Sequence, residues 1–299
     1  MTSTLNTYLS QVRALIHDNN SADFTDAQLT TFINNARNRV ALDTHCVRSF
    51  LTGFNLIGNQ EQYPLTGFVG GVTVSSGGSG YSAASISFAG GGGAGAQGSA
   101  ILSNGTIASV NMTNWGNNYT SQPTVNVSGA GTGASLIANV GTNILDFQLM
   151  TAIWPGNQLA VTFEWMPFAM FQAFARAYRQ LYSNPGAFSV HYGNQVFFIS
   201  PIPNQAYPLE IDAMVLPNPL IDNTTAEQIM PPFDDAVQYY AAYLCKASLQ
   251  LYDQADYWYS GNPQKMGKYD IRIRELPATA RMSRFYNVYR TFARRMRKM

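Results

Sequence analysis

Between positions 4 and 17 the apolar residues Leu5, Tyr8, Leu9, Val12, Leu15 and Ile16 recur at three- and four-residue spacing. That spacing puts them on one face and predicts an amphipathic helix. Thr25-Asp-Ala-Gln28 follows, a hydroxyl with an amide three residues on, which is the pattern of a capping box. The helix it opens carries Leu29, Phe32, Ile33, Ala36 and Val40. Beyond it, 50–57 and 62–65 read as extended segments.

From residue 67 the period changes to two. Val72-Thr-Val-Ser-Ser-Gly-Gly-Ser-Gly-Tyr81, then 85–90, then a glycine run form a first block. Val110-Asn-Met-Thr-Asn-Trp-Gly-Asn-Asn-Tyr119, then 124–129, then Ala130-Gly-Thr-Gly133 form a second. Alternation at period two predicts half-buried strands, and the glycines supply turns that need positive φ. With 96–102 and 134–140, each copy has three strands, a small all-β domain of about six strands.

After it, 144–150 and 157–165 read as strands and 167–182 as a helix ended by Asn184-Pro185-Gly186. Residues 188–192 and 195–199 flank Gly193-Asn194, the pattern of a two-residue hairpin turn, and 207–215 alternates as a third strand. Pro231-Pro232 precede one long predicted helix, 233–259, whose stripe is Val237, Tyr240, Ala241, Leu244, Ser248 and Leu251. A helix over 263–275 and a basic, helix-compatible segment over 278–299 complete the chain.

Composition sharpens this outline. Between Glu61 and Asp146 there is no Asp, Glu, Lys, Arg or His. The shift at both ends predicts an inserted domain, 67–142, within a host formed by 1–66 and 143–299. At 299 residues the chain suits about two domains. The expected fold class is α+β: a core of long helices with a small antiparallel sheet, carrying the inserted all-β domain. Aromatics at 13% exclude a mainly disordered chain. A net charge of +1 offers no general attraction to nucleic acid or to an anionic membrane. No membrane span or signal core is expected in the sequence. Cys46 and Cys245 stand alone, as expected of buried thiols in a protein made in a reducing cytoplasm.

Two resemblances follow from these residues. The first block resembles the glycine-rich GGSGY repeats of phage tail and structural proteins and some bacterial surface proteins. The host segments resemble the head-to-tail adaptors of short-tailed bacteriophages. That likeness is carried by Asp23-Phe-Thr-Asp-Ala-Gln28 and Asn34-Asn-Ala-Arg-Asn-Arg39, Tyr63-Pro-Leu65, Pro201-Ile-Pro203 before Tyr207-x-Leu209-x-Ile211, and Met230-Pro-Pro-Phe233. It implies a non-enzymatic virion component at the neck, a subunit of a ring, commonly of twelve copies, between the portal protein and the tail or nozzle proteins. Such a ring prolongs the channel through which genomic DNA passes without sequence specificity. It implies no membrane partner and no cofactor.

The candidate sites are three. The C-terminal arm holds Arg290, Phe292, Arg294, Arg295, Met296, Arg297 and Lys298, and the resemblance implies docking on acidic portal residues; a solvated terminus and direct DNA contact are the alternatives. Tyr239, Tyr243, Tyr252, Tyr257 and Trp258 crowd one predicted helix and are expected either in a thick core or at subunit interfaces, where aromatics are enriched. Tyr81, Trp115 and Tyr119 occupy related places in the two repeats. They are expected to plug the β core, to offer stacking faces to host-surface sugars in an adhesin reading, or to pack against the capsid or a tail fibre. Catalysis finds little support: His17, His45 and His191 are scattered, there is no nucleophile elbow or phosphate loop, and no metal-ligand cluster is expected. Asp146 and Glu164 are a weak candidate glycosidase pair.

Overall fold

The computed structural model describes residues 3–18, 20–154, 159–178, 182–262 and 264–275. Its elements run α1 (Leu5–Ile16), α2 (Asp26–Thr44), β1 (Arg48–Asn55), β2 (Gln62–Pro64), β3 (Phe68–Ser79), β4 (Ala84–Ala89), β5 (Ala94–Ser103) and β6 (Thr106–Asn117). They continue β7 (Thr124–Gly129), β8 (Thr132–Gly141), β9 (Ile144–Trp154), β10 (Leu159–Thr162), β11 (Glu164–Trp165), α3 (Phe168–Tyr178), β12 (Tyr182–Ser183) and β13 (Ala187–His191). The last are β14 (Val196–Ser200), β15 (Ile202–Pro203), β16 (Pro208–Val215), α4 (Asp235–Ser248), α5 (Tyr252–Trp258) and α6 (Lys268–Glu275). Two compact units form: Met1–Arg48 with Leu216–Met299, and Ser49–Val215.

The expected core of long helices is overturned. Of the described residues 40% lie in strands and 28% in helices. Two causes are local. The segments around the charge-free stretch pair into sheets of their own, in the orders β1-β16-β9-β10 and β11-β13-β14-β2. The helix expected over 233–259 breaks after Ser248, because Gln250 takes a left-handed φ of 61° and Leu249 and Leu251 turn the chain into α5. The buried face of α4 is also rotated from the expected stripe: Ala236, Val237, Ala241, Ala242 and Cys245 are buried, while Ser248 and Leu251 are exposed.

The charge-free stretch forms one six-stranded, nearly closed barrel-like sheet in the order β3-β8-β7-β4-β5-β6. Its symmetry explains the repeat. The first strand of each copy pairs with the third strand of the other, β3 with β8 and β6 with β5, and the two middle strands, β4 and β7, pair with each other. Neither copy can satisfy its own backbone alone.

The glycines lock the copies together. Tyr81 of the first copy is buried against Gly129 and Gly131 of the second, and a Cβ on Gly131 would stand 2.5 Å from its ring. Tyr119 of the second copy is buried in turn against the Gly91–Gly93 run of the first, where a Cβ on Gly93 would stand 2.5 Å from the ring. Each tyrosine therefore demands a backbone without a side chain opposite it.

Trp115 on β6 joins this sheet to the rest of its unit. Its ring stacks on Phe68 (centroids 4.7 Å apart, 18° between planes) and packs on Tyr63, Phe54 and Phe197. Its indole N–H donates to the Asn55 carbonyl at 3.0 Å. The strands β9 and β16 pair antiparallel with Leu209 opposite Ala152 and Ile211 opposite Met150, all four buried, which is the period-two inner face of a sheet. The two-residue turn expected at Gly193-Asn194 is wider. His191 pairs with Val196, so residues 192–195 form the loop, closed by a 3-10 turn over Tyr192–Asn194 and a left-handed Gln195.

In the other unit the two N-terminal helices form where the pattern places them. Thr4 accepts from the Thr7 amide at the start of α1, and Thr25 and Gln28 make the reciprocal bonds of the capping box at α2. Asp18 closes the turn between them, accepting from the amides of Ala22, Asp23 and Phe24 and from the Arg13 guanidinium. Arg37, fully buried on α2, forms a two-oxygen pair with buried Glu227 and donates to the Asn218 carbonyl.

Candidate functional site

The helices α4, α5 and α6 with the exposed end of α2 build the most distinctive surface of the helical unit. Its base is a tyrosine cluster: Tyr240 packs on Tyr243, Tyr259 and Tyr269 at centroid distances of 5.3, 5.2 and 5.0 Å. Trp258 stacks on Tyr239 at 6.0 Å. The Arg39 guanidinium sits about 6 Å from the centroids of both Tyr240 and Tyr259, within cation–π reach. Asp43 ties the cluster down, accepting from Arg39 and from the Tyr269 hydroxyl at 2.9 Å each. Burial, and then the neighbouring Asp43 charge, push the Tyr269 hydroxyl far above its ordinary pKa, so it stays a donor. A cleft of about 220 Å3 opens beside it, lined by Arg39, Asp43, Tyr259, Met266, Asp270 and Arg274.

The structure divides the five aromatics expected in a core or an interface. Tyr239, Tyr243 and Trp258 are half-buried within this cluster, whereas Tyr252 and Tyr257 are exposed at 65% and 56%. The signal missed in the sequence was Tyr269, whose place in the cluster depends on α6 returning to α4. The arm residues Arg290, Phe292, Arg294, Arg295, Met296, Arg297 and Lys298 lie outside the described residues.

Tyr81, Trp115 and Tyr119 are buried at 6%, 1% and 4% exposure. None of the three offers an open ring face in this structure: Tyr81 and Tyr119 lie against glycines within the six-stranded sheet, whereas Trp115 packs on Phe54, Tyr63 and Phe197 from strands outside it. Asp146 lies on β9 and accepts from the Tyr192 hydroxyl at 2.5 Å, while Glu164 is exposed on β11 in a different sheet. Among the described residues no group of three or more His, Cys, Asp or Glu could hold a metal ion. No helix there is long and apolar enough to cross a membrane. Both cysteines are free thiols; burial pushes Cys245 up to about 12 and raises Cys46 as well. No protein-family model matches the chain, and no curated protein matches it.

Proposed function

We propose that this protein is a head-to-tail adaptor subunit, which joins a portal vertex to a phage tail as one member of a ring and performs no catalysis. The observation that carries the reading is where the adaptor-like residues act. Asn34 and Arg37, from the Asn34–Arg39 stretch of that resemblance, grip the segment leading to Met230-Pro-Pro-Phe233. Asn34 donates to the Leu220 carbonyl and accepts from its amide, and Arg37 holds Asn218 and Glu227. Two of the adaptor-like stretches, Asn34–Arg39 and the approach to Met230-Pro-Pro-Phe233, thus meet within the helical unit, while Tyr63-Pro-Leu65, Pro201-Ile-Pro203 and Tyr207-x-Leu209-x-Ile211 lie in the other.

The surface of the helical unit supports an assembling subunit. Ile221, Met230, Tyr252 and Tyr257 are all more than half exposed, and aromatic residues and methionine are enriched where proteins meet. In this reading the basic arm after Glu275 docks on the portal, and lateral contacts then close the ring. Ordering an arm costs conformational entropy, so it is favoured only where portal contacts offset that cost.

The direct test is binding of the portal protein from the same genome by the full chain and by a chain ending at Glu275. The truncated chain should lose most of its affinity. Full affinity without residues 276–299 would refute the docking role of the arm.

A further inference from the structure

The cleft beside the tyrosine cluster has two charged walls. Arg39 and Asp43 come from α2, and Asp270 and Arg274 come from α6. Each pair is four residues apart, so each wall presents one acid and one base on successive turns of a helix. Two guanidinium groups and two carboxylates leave the lining with no net formal charge.

None of the four groups is used up. Arg39 donates through Nε to Oδ2 of Asp43 at 2.9 Å, and its two terminal nitrogens make no hydrogen bond among the described residues. Arg274 is exposed and has neither an ion pair nor a hydrogen bond there. Both carboxylates are engaged through Oδ2 alone. Asp43 accepts from Arg39 and the Tyr269 hydroxyl, and Asp270 accepts from the amides of Ser260, Gly261 and Gly267 at 3.2, 3.4 and 3.0 Å. No ion pair joins one wall to the other among the described residues. Two guanidinium ends and two carboxylate oxygens thus remain unspent around one cleft.

The walls are held in place. Tyr240 and Tyr259 flank the Arg39 guanidinium at 6.0 and 5.9 Å. The three amide bonds to Asp270 shape the loop over 260–267, and Asn262 bridges to Lys265 within it. Gly267 brings the start of α6 against the end of α5 so closely that a Cβ would stand 2.5 Å from the Trp258 carbonyl oxygen. Groups fixed before a ligand arrives cost less to order when it binds.

Size and polarity select the ligand. At about 220 Å3 the cleft is smaller than the roughly 300–1,000 Å3 pockets of drug-sized ligands and cofactors. A simple anion would meet two carboxylates there, and a simple cation two guanidinium groups. A small molecule with both charges answers both pairs. Met266 and Ile273 add an apolar side to the lining.

We propose that this cleft binds a free α-amino acid with an apolar side chain. Its carboxylate lies on Arg39 and Arg274, its ammonium on Asp43 and Asp270, and its side chain against Met266 and Ile273. The site goes beyond the adaptor reading and does not depend on it.

Titration of the full chain with L-leucine tests this, read on the arginine Nε–Hε signals of 15N-labelled protein, with the Arg39 signal assigned by its loss in Arg39→Lys. Two probes split the leucine molecule: 4-methylpentanoate lacks the ammonium and 3-methylbutylamine lacks the carboxylate. Leucine should shift the Arg39 signal saturably, with a Kd of about 1 mM or tighter. Each half-probe should bind at least about tenfold more weakly, because one pair of charges goes unanswered. Arg274→Gln alters an exposed side chain that holds nothing in the fold; it should weaken leucine about tenfold and leave thermal unfolding unchanged. The absence of a saturable shift would overturn the proposal, as would leucine binding indifferent to Arg274→Gln. Equal binding of 4-methylpentanoate or inorganic phosphate would make this a plain anion site, and equal binding of 3-methylbutylamine a plain cation site; either result overturns it too.

Discussion

Removing the Trp115 ring should loosen the whole Ser49–Val215 unit, not only the six-stranded sheet that carries it. The ring is 1% exposed and touches Phe54 on β1, Tyr63 on β2, Phe68 on β3 and Phe197 on β14. Trp115→Ala empties that junction, and a loss of this kind costs about 3–5 kcal/mol. Trp115→Phe keeps most of the packing but leaves the Asn55 carbonyl without the indole donor, at a cost of about 1–3 kcal/mol. Because the chain has two compact units, a single global transition is a poor readout. Amide exchange resolved by strand is better. At about 1.4 kcal/mol per power of ten, the alanine variant should speed exchange in β1, β2, β6 and β14 by roughly 10²–10⁴-fold. An increase confined to β6, or one below tenfold in all four strands, would show that the tryptophan does not join the sheets as described.

Four further outcomes follow from the same contacts. Gly131→Ala drives a methyl into the Tyr81 ring and should cost about 1–3 kcal/mol, whereas Gly186→Ala, with nothing within 4 Å, should be neutral or slightly stabilising in thermal unfolding. Glu227→Ala strands the buried Arg37 guanidinium and should destabilise the helical unit by about 3–5 kcal/mol, read by denaturant unfolding of α2 and α4 signals. Burial opposes the Asp18 charge, but three backbone amides and Arg13 outweigh it and hold its carboxyl below the usual range. Its contribution is therefore present above the unfolded value of about 3.9 and is lost as pH falls through the lower folded value. Asp18→Asn should be less stable than the parent at pH 7, and the gap should begin to narrow below about pH 4 and close only once pH has fallen through the lower folded value. Cys245, with its pKa pushed up to about 12, should resist thiol reagents at pH 8 until the helical unit opens, with Cys46, only half-buried, reacting first.

The parts of the fold legible in the sequence are those set by near neighbours. The capping box at Thr25, the face of α1 and the six strands of the charge-free stretch follow from short-range period and turn chemistry, and they form where that pattern puts them. What escaped depends on distant partners. The glycine runs look like flexible punctuation until Tyr81 and Tyr119 are seen lying in them from the opposite copy. The stretch 233–259 has helical character throughout, and its break at Gln250 has no glycine or proline to mark it. Trp115 is expected either in the core of the β repeat or on a stacking face; what the sequence hides is that strands outside the repeat, β1, β2 and β14, join Phe68 of β3 in enclosing it. The tyrosine cluster was visible as a crowd on one helix, but its division into enclosed and exposed members needed α6 in place.

The measurement that bears most directly on the adaptor reading is the molar mass of the protein alone and mixed with the portal protein from the same genome, by light scattering on a sizing column. A monomer that joins the portal ring at about one copy per portal subunit is the expected result. Failure to associate in either order of mixing would contradict it, as would a stable free trimer, the assembly expected of a fibre rather than a ring.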